Sequence, residues 1–244
     1  MRLSEQQLVD CTLTTNPANE QRFGKDYRAY GCMGGWMTWA WDFIKDQGVM
    51  TNEDYPYFSG TRGTEGECMH DASKTVGKVK NWGQITGFVS QVKDKLVEQP
   101  LTIALDASGA AFQFYRSGVI KESDNCGTQL NHAVVLVGYT DEGDGPSPNP
   151  DPSPDPSPGP DPSPEPEPQP EPLEDCDVTK WWHTCDPVNN RRHLQDASGH
   201  SNYWKIENSW GVGYGDGGFL RIEITGGQGV CGMNEVIEWV EWDD

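Results

Sequence analysis

The chain of 244 residues, long enough for one large domain or two smaller ones, predicts an α+β fold in which helices come in the first part and strands dominate after Pro100. Three observations carry that prediction. Before Pro100 apolar residues recur at three- and four-residue spacing. After it they gather into short runs separated by glycine-rich turns. Between two of those runs lies a proline-alternating stretch that fits neither pattern.

Ser4 followed by Gln7 reads as a capping box that opens a short helix carrying Leu8 and Val9. Trp36, Met37, Ala40, Phe43 and Ile44 repeat at helical spacing, and Gly48 stands where a C-terminal cap belongs, so residues 36–47 are expected to be an amphipathic helix. Ser90 is placed to cap a further helix with Val92, Leu96 and Val97 on its apolar side, stopping before Pro100. Strands are then expected at 101–106, 132–139, 202–208 and 218–224. In the third of these Trp204, Ile206 and Asn208 share one face, because side chains alternate along a strand.

Residues 146–172 carry proline at every even position, with Asp or Glu at many odd ones. Proline has no backbone N–H, so the stretch reads as a solvated polyproline II spacer. At ~3.1 Å per residue its reach is roughly 80 Å when extended. The expected organisation is a helical domain at 1–100, a first part of the strand-rich domain at 101–140, an acidic spacer at 141–174, a small loop at 175–201 and the rest of the strand-rich domain at 202–244. Cys176 and Cys185 are spaced to close that loop by a disulfide, and Trp181 and Trp182 within it either pack on the domain or stand as anchors for a protein or glycan partner. Without the insertion the strands at 132–139 and 202–208 become a hairpin, so it leaves from a hairpin tip, where insertions disturb least.

A net charge of −20 and a pI near 4.4 argue against nucleic acid and acidic membrane surfaces as partners. No run of eighteen apolar residues is present to span a membrane, and Met1-Arg2 leads into Leu3-Ser4-Glu5 without the apolar core of a signal peptide. Seven cysteines, Cys11, Cys32, Cys68, Cys126, Cys176, Cys185 and Cys231, are dispersed like long-range disulfide partners, which implies a secretory route to an extracellular, lysosomal or vacuolar compartment. No metal and no cofactor is expected: Cys176, His183 and Cys185 have the wrong spacing for common zinc sites, and Gly211-Val-Gly213-Tyr-Gly215 lacks the helix that a phosphate-binding loop precedes.

Asn131-His132 opens the apolar run Ala133–Gly138, and Asn208-Ser209-Trp210 follows Tyr203–Glu207. Taken alone, His132 reads as a satisfied core histidine. The expected hairpin sets it beside Asn208, with Ser209 and Trp210 following. An imidazole oriented by an amide, with a tryptophan shielding their hydrogen bond, is the base that a cysteine nucleophile needs.

The stretches LSEQQLVDC (3–11), GCMGGWM (31–37), NEDYPY (52–57), NHAVVLVGY (131–139), YWKIENSWGVGYGDGGF (203–219) and GVCGMNE (229–235) together resemble, in order, the papain-like cysteine peptidases of the papain and cathepsin L group. The resemblance covers nearly all of the chain outside the insertion. It implies a two-domain fold, a helical domain facing a strand-rich, barrel-like one across a cleft, with His132 as catalytic base, Asn208 orienting its ring and Trp210 covering the contact. It implies disulfides Cys11–Cys68 and Cys126–Cys231, with Cys176 and Cys185 paired inside the insertion and Cys32 left over. The family order sets the oxyanion glutamine and the nucleophilic cysteine ahead of LSEQ, so the chain is expected to start after both, with an incomplete helical domain.

The resemblance also implies that Gly34, Gly35, Trp36 and Met37 line the rim of the pocket for the residue two before the cleaved bond, with Ala104 and Leu130 on its wall and Val236 at its floor. Asn131 and Trp210 are expected beside the substrate. Between Cys11 and Cys32 twenty residues replace a shorter family turn. The expected activity is endopeptidase action on a peptide or protein substrate by a monomer, in the complete gene product. The rival reading is a non-catalytic relative that binds a protein or glycan.

Overall fold

The computed structural model describes residues 1–86, 88–140 and 202–243; the spacer, the Cys176–Cys185 loop, Trp181 and Trp182 lie outside them. The described helices are α1 (Glu5–Cys11), α2 (Pro17–Phe23), α3 (Met37–Gln47), α4 (Ser59–Arg62), α5 (Val89–Glu98) and α6 (Ala110–Gln113). The strands are β1 (Val49–Met50), β2 (Thr75–Gly77), β3 (Val79–Ile85), β4 (Leu101–Leu105), β5 (His132–Tyr139), β6 (Tyr203–Glu207), β7 (Phe219–Glu223) and β8 (Ile237–Trp242). Strands β1 and β2 pair with each other, and the other six form one antiparallel sheet in the order β3-β8-β4-β5-β6-β7.

Ser4 caps α1, accepting a hydrogen bond from the Gln7 N–H at 3.0 Å. The return half of the capping box is not made. Gln7 instead accepts from the Met50 N–H (2.7 Å) and donates to Gly48 O (3.2 Å), so its amide ties α1 to β1. Trp36 is the cap of α3 rather than its first residue, and Gly48 ends the helix at φ 82°, a value that suits glycine. Ser90 is not the cap of α5; Phe88 holds that position and Ser90 lies within the first turn. The helix ends at Glu98, ahead of Pro100.

Two apolar cores form among the described residues. One gathers Cys11, Phe43, Ile44, Met50, Tyr55 and Val79 among the helices. The other lies on the six-stranded sheet, where Leu101, Ile103, Leu136, Trp204, Ile206 and Leu220 pack together with Val92 of α5. Ile103, at the middle of β4, is fully buried in it. The halves meet where the Trp41 indole N–H of α3 donates to Glu238 Oε2 of β8 at 2.9 Å. Burial pushes the Glu238 carboxyl up, against the opposing pull of its bonds from Gln84 and Trp41.

The expected hairpin is present. Strand β5 pairs with β6 through Val135–Glu207 and Leu136–Ile206, and a shift between Leu136 and Gly138 then sets Tyr139 against Trp204. At its open end the Thr140 N–H donates to Tyr203 O (2.9 Å), which holds together the two strands that flank residues 141–201. The sequence did not announce β3 and β8. Both mix buried and exposed positions, and each carries charged residues.

Candidate active site

His132 is the first residue of β5, and with Val134 and Leu136 it lies on the side facing the core. Trp204 and Ile206 are buried along β6, and Asn208, next on the same face, is buried just past the strand end. His132 Nε2 and Asn208 Oδ1 are 2.8 Å apart.

The Ser209 N–H donates to the same Asn208 Oδ1 at 2.8 Å. A backbone N–H needs an acceptor, so that amide atom is the oxygen, and His132 Nε2 must be the donor to it. In the neutral ring the proton is therefore on Nε2, and Nδ1 keeps its lone pair. Among the described residues no hydrogen bond engages Nδ1.

Aromatic rings surround this pair. The Trp210 ring lies 5.2 Å from the His132 ring at 37°, and the Phe112 ring stands edge-on to His132 at 5.9 Å. Phe112 also meets Trp210 (5.4 Å), and Tyr214 meets Trp210 (5.0 Å). The Tyr214 hydroxyl donates to Phe112 O at 2.7 Å, which anchors α6 beside the site. Burial pushes that hydroxyl up to about 12, against a smaller lowering by the nearby Asn208 amide. That amide nevertheless makes no hydrogen bond of proper geometry through Nδ2, which is buried and unpartnered among the described residues. Phe112 lies outside every stretch singled out in the sequence, and Tyr214 lies within 203–219 but was assigned no role there.

Asn131 precedes His132, and both ends of its side-chain amide are occupied. Its Oδ1 accepts from the Ala107 N–H (2.9 Å) and its Nδ2 donates to Asp106 Oδ1 (3.0 Å). Ala104 is buried, and its N–H donates to Val236 O at 3.0 Å. Leu130 is half-buried and packs near Gly232, where an added Cβ would lie 3.1 Å from its Cδ2. Gly34, Gly35 and Trp36 are exposed at the start of α3, and Met37 is half-buried. Among the described residues no hydrogen bond joins 34–37 to Ala104, Leu130 or Val236.

The structure contains the disulfides Cys11–Cys68 and Cys126–Cys231. Cys32 is exposed and has no disulfide partner among the described residues; it lies in the turn Gly31–Met33, where its N–H donates to Glu65 Oε1 at 2.8 Å.

A hydrogen-bonded histidine–asparagine pair, its asparagine buried, at the end of an antiparallel sheet and beside a helical half closed by its own disulfide, defines a cysteine-protease type of architecture. The chain belongs to the papain family of cysteine proteases: the profile described as "Papain family cysteine protease" matches residues 1–148 and 188–239. Cysteine proteinase RD21A of Arabidopsis thaliana is 30% identical over 237 residues, covering 95% of this chain and 35% of that protein. Zingipain-2 of Zingiber officinale is 29% identical over 235 residues, covering 95% of this chain and 72% of that protein. The structure of the bromelain protease from Ananas comosus in complex with the E64 inhibitor superposes with a TM-score of 0.62 at 26% identity, covering 98% of this chain and 77% of that one.

Proposed function

We propose that this chain supplies the base half of a cysteine endopeptidase site, with His132 as general base, Asn208 as its orienting partner and Trp210 as their cover. The observation that supports this reading is the tautomer: Asn208 Oδ1, shared with the Ser209 N–H, holds the ring proton on Nε2 and leaves Nδ1 as a proton acceptor. In the reaction Nδ1 takes the proton of a cysteine thiol, and the thiolate attacks the peptide carbonyl carbon. The imidazolium then returns the proton to the leaving amine, and water, deprotonated by Nδ1, hydrolyses the thioester.

The attacking cysteine and the oxyanion donor are proposed to lie outside these 244 residues, so the chain alone does not turn over peptides. Four of the described cysteines are in disulfides, and Cys32 belongs to the helical half. Gly34, Gly35, Trp36 and Met37 form the rim, and Ala104, Leu130 and Val236 the wall and floor, of an apolar pocket for the substrate side chain. The domain boundaries expected from the sequence belong to the same reading, with an insertion at 141–201 that serves spacing or recognition. The disulfides, and relatives such as the KDEL-tailed cysteine endopeptidase CEP2 of Arabidopsis thaliana, support a secretory or vacuolar setting.

The test is to read the genomic frame upstream of Met1, express the extended product and treat it with E-64. The reading expects one covalent adduct, on a cysteine upstream of Met1, in the extended product and none in the 244-residue chain. An upstream stop codon, or an adduct on Cys32, would overturn it in favour of a non-catalytic binding protein or a different nucleophile.

A further inference from the structure

His132 is the last residue of the β4–β5 ladder, paired with Leu105. Ladder ends fray unless the chain beyond them is tied down. Beyond Leu105 comes Asp106, and ahead of His132 comes Asn131.

Asp106 is 3% exposed, and among the described residues its carboxylate has no cationic hydrogen-bond partner. Its Oδ1 accepts from the Ser108 N–H (2.9 Å), the Ser108 hydroxyl and the Asn131 amide (3.0 Å). Its Oδ2 accepts from the Gln129 N–H at 3.0 Å. The Asp106 N–H donates to Cys231 O (2.8 Å), which ties the same residue to the Cys126–Cys231 disulfide. The 126–131 segment wraps around the carboxylate so closely that a Cβ on Gly127 would collide with Oδ2.

We propose that Asp106 is a positioning residue for the base: it clamps the 127–131 segment through Gln129 and Asn131 and so fixes the end of β5 from which the His132 ring reaches Asn208. The proposal rests on the reading of His132 as the base. Burial works to raise the Asp106 carboxyl, but the bonds from Ser108, Gln129 and Asn131 outweigh it and hold the group below the usual carboxylate range. The clamp is therefore fully charged in a mildly acidic compartment.

The substitution Asp106→Asn tests the clamp at constant shape. An asparagine must set an NH₂ group against the Gln129 N–H, or against the Ser108 and Asn131 donors, so it cannot restore the bonding. Asn131→Ala is the second variant: it leaves Asp106 bonded to Ser108 and Gln129 but cuts the link to the residue before His132. The readout is nitrogen-15 NMR of the His132 ring in the 244-residue chain, with circular dichroism to establish folding.

Wild type should show a single Nε2–H tautomer with a slowly exchanging ring proton. Both variants should exchange that proton about tenfold faster, the factor expected for a weakened hydrogen bond, and should populate the Nδ1–H tautomer. Folded variants with the wild-type tautomer and exchange rate would overturn the proposal even if their melting temperatures fall. A wild-type ring protonated on Nδ1 would overturn the base reading itself, which distinguishes the two failures.

Discussion

His132 Nε2 and Asn208 Oδ1 stand 2.8 Å apart, and the Ser209 N–H shares that oxygen. Three consequences meet in this contact: the amide cannot flip, the ring keeps one tautomer, and Nδ1 is left to take a proton. Substituting Asn208 by Ala in the extended product should keep the fold and lower kcat, while His132→Ala should lower it by about 10²- to 10⁴-fold. Steady-state kinetics with a short fluorogenic peptide measures both. A His132→Ala enzyme of wild-type kcat would show that this imidazole is not the base.

Cys32 should be the one thiol that reacts in the oxidised chain, because it is exposed and outside the two described disulfides. Alkylation without denaturation, followed by peptide mass mapping, should place a single label on it. Finding Cys32 bonded to another cysteine of this chain would contradict the pairing scheme, including the proposed closure of Cys176 with Cys185.

His70 gives the helical half a pH dependence. Gln7 Nε2 donates to its Nδ1 at 2.8 Å, and burial, then Arg22, hold the imidazole below its ordinary value. The unfolded chain therefore takes up the proton first as pH falls. The stabilisation is complete above about 6.5 and is lost as pH drops from there through the folded value. His70→Gln keeps an acceptor for Gln7 and should flatten the stability profile between about pH 7.5 and 5, measured by urea unfolding. Equal slopes for the two proteins would rule this out.

Replacing residues 141–201 with Asn-Gly should leave the core intact, since Thr140 and Tyr203 already hold the strand ends together. The melting temperature should change by no more than about 4 °C, the shift that roughly 1 kcal/mol produces in a domain of this size. In the extended product, cleavage of short peptides should be unchanged. Loss of that cleavage would mean that the segment packs against the cleft.

Much of the fold was legible because the informative residues are local. Strand β5 is an apolar run with clear ends, Gly48 stops α3 at a backbone angle that favours glycine, and the alternation of Trp204, Ile206 and Asn208 gives the face of β6. The hairpin then brought His132 to Asn208. Helix α2 has signals of the same local kind, although the sequence reading passed over them: Asn16 caps it, Pro17 opens it and Gly24 closes it in the left-handed region. Gln7 and Ser90 misled for a common reason, since a cap is one of several competing uses of a polar side chain, and packing decides among them. Asp106 and Phe112 could not be found from spacing, because their roles depend on segments that meet only after folding.

The most direct test of the central claim is a peptidase assay of the 244-residue chain under reducing conditions near pH 5.5, with a fluorogenic peptide bearing Phe or Leu two before the cleaved bond. The account predicts no turnover above the buffer blank. Turnover that a thiol alkylator abolishes would contradict it, because a nucleophilic cysteine would then lie within these residues.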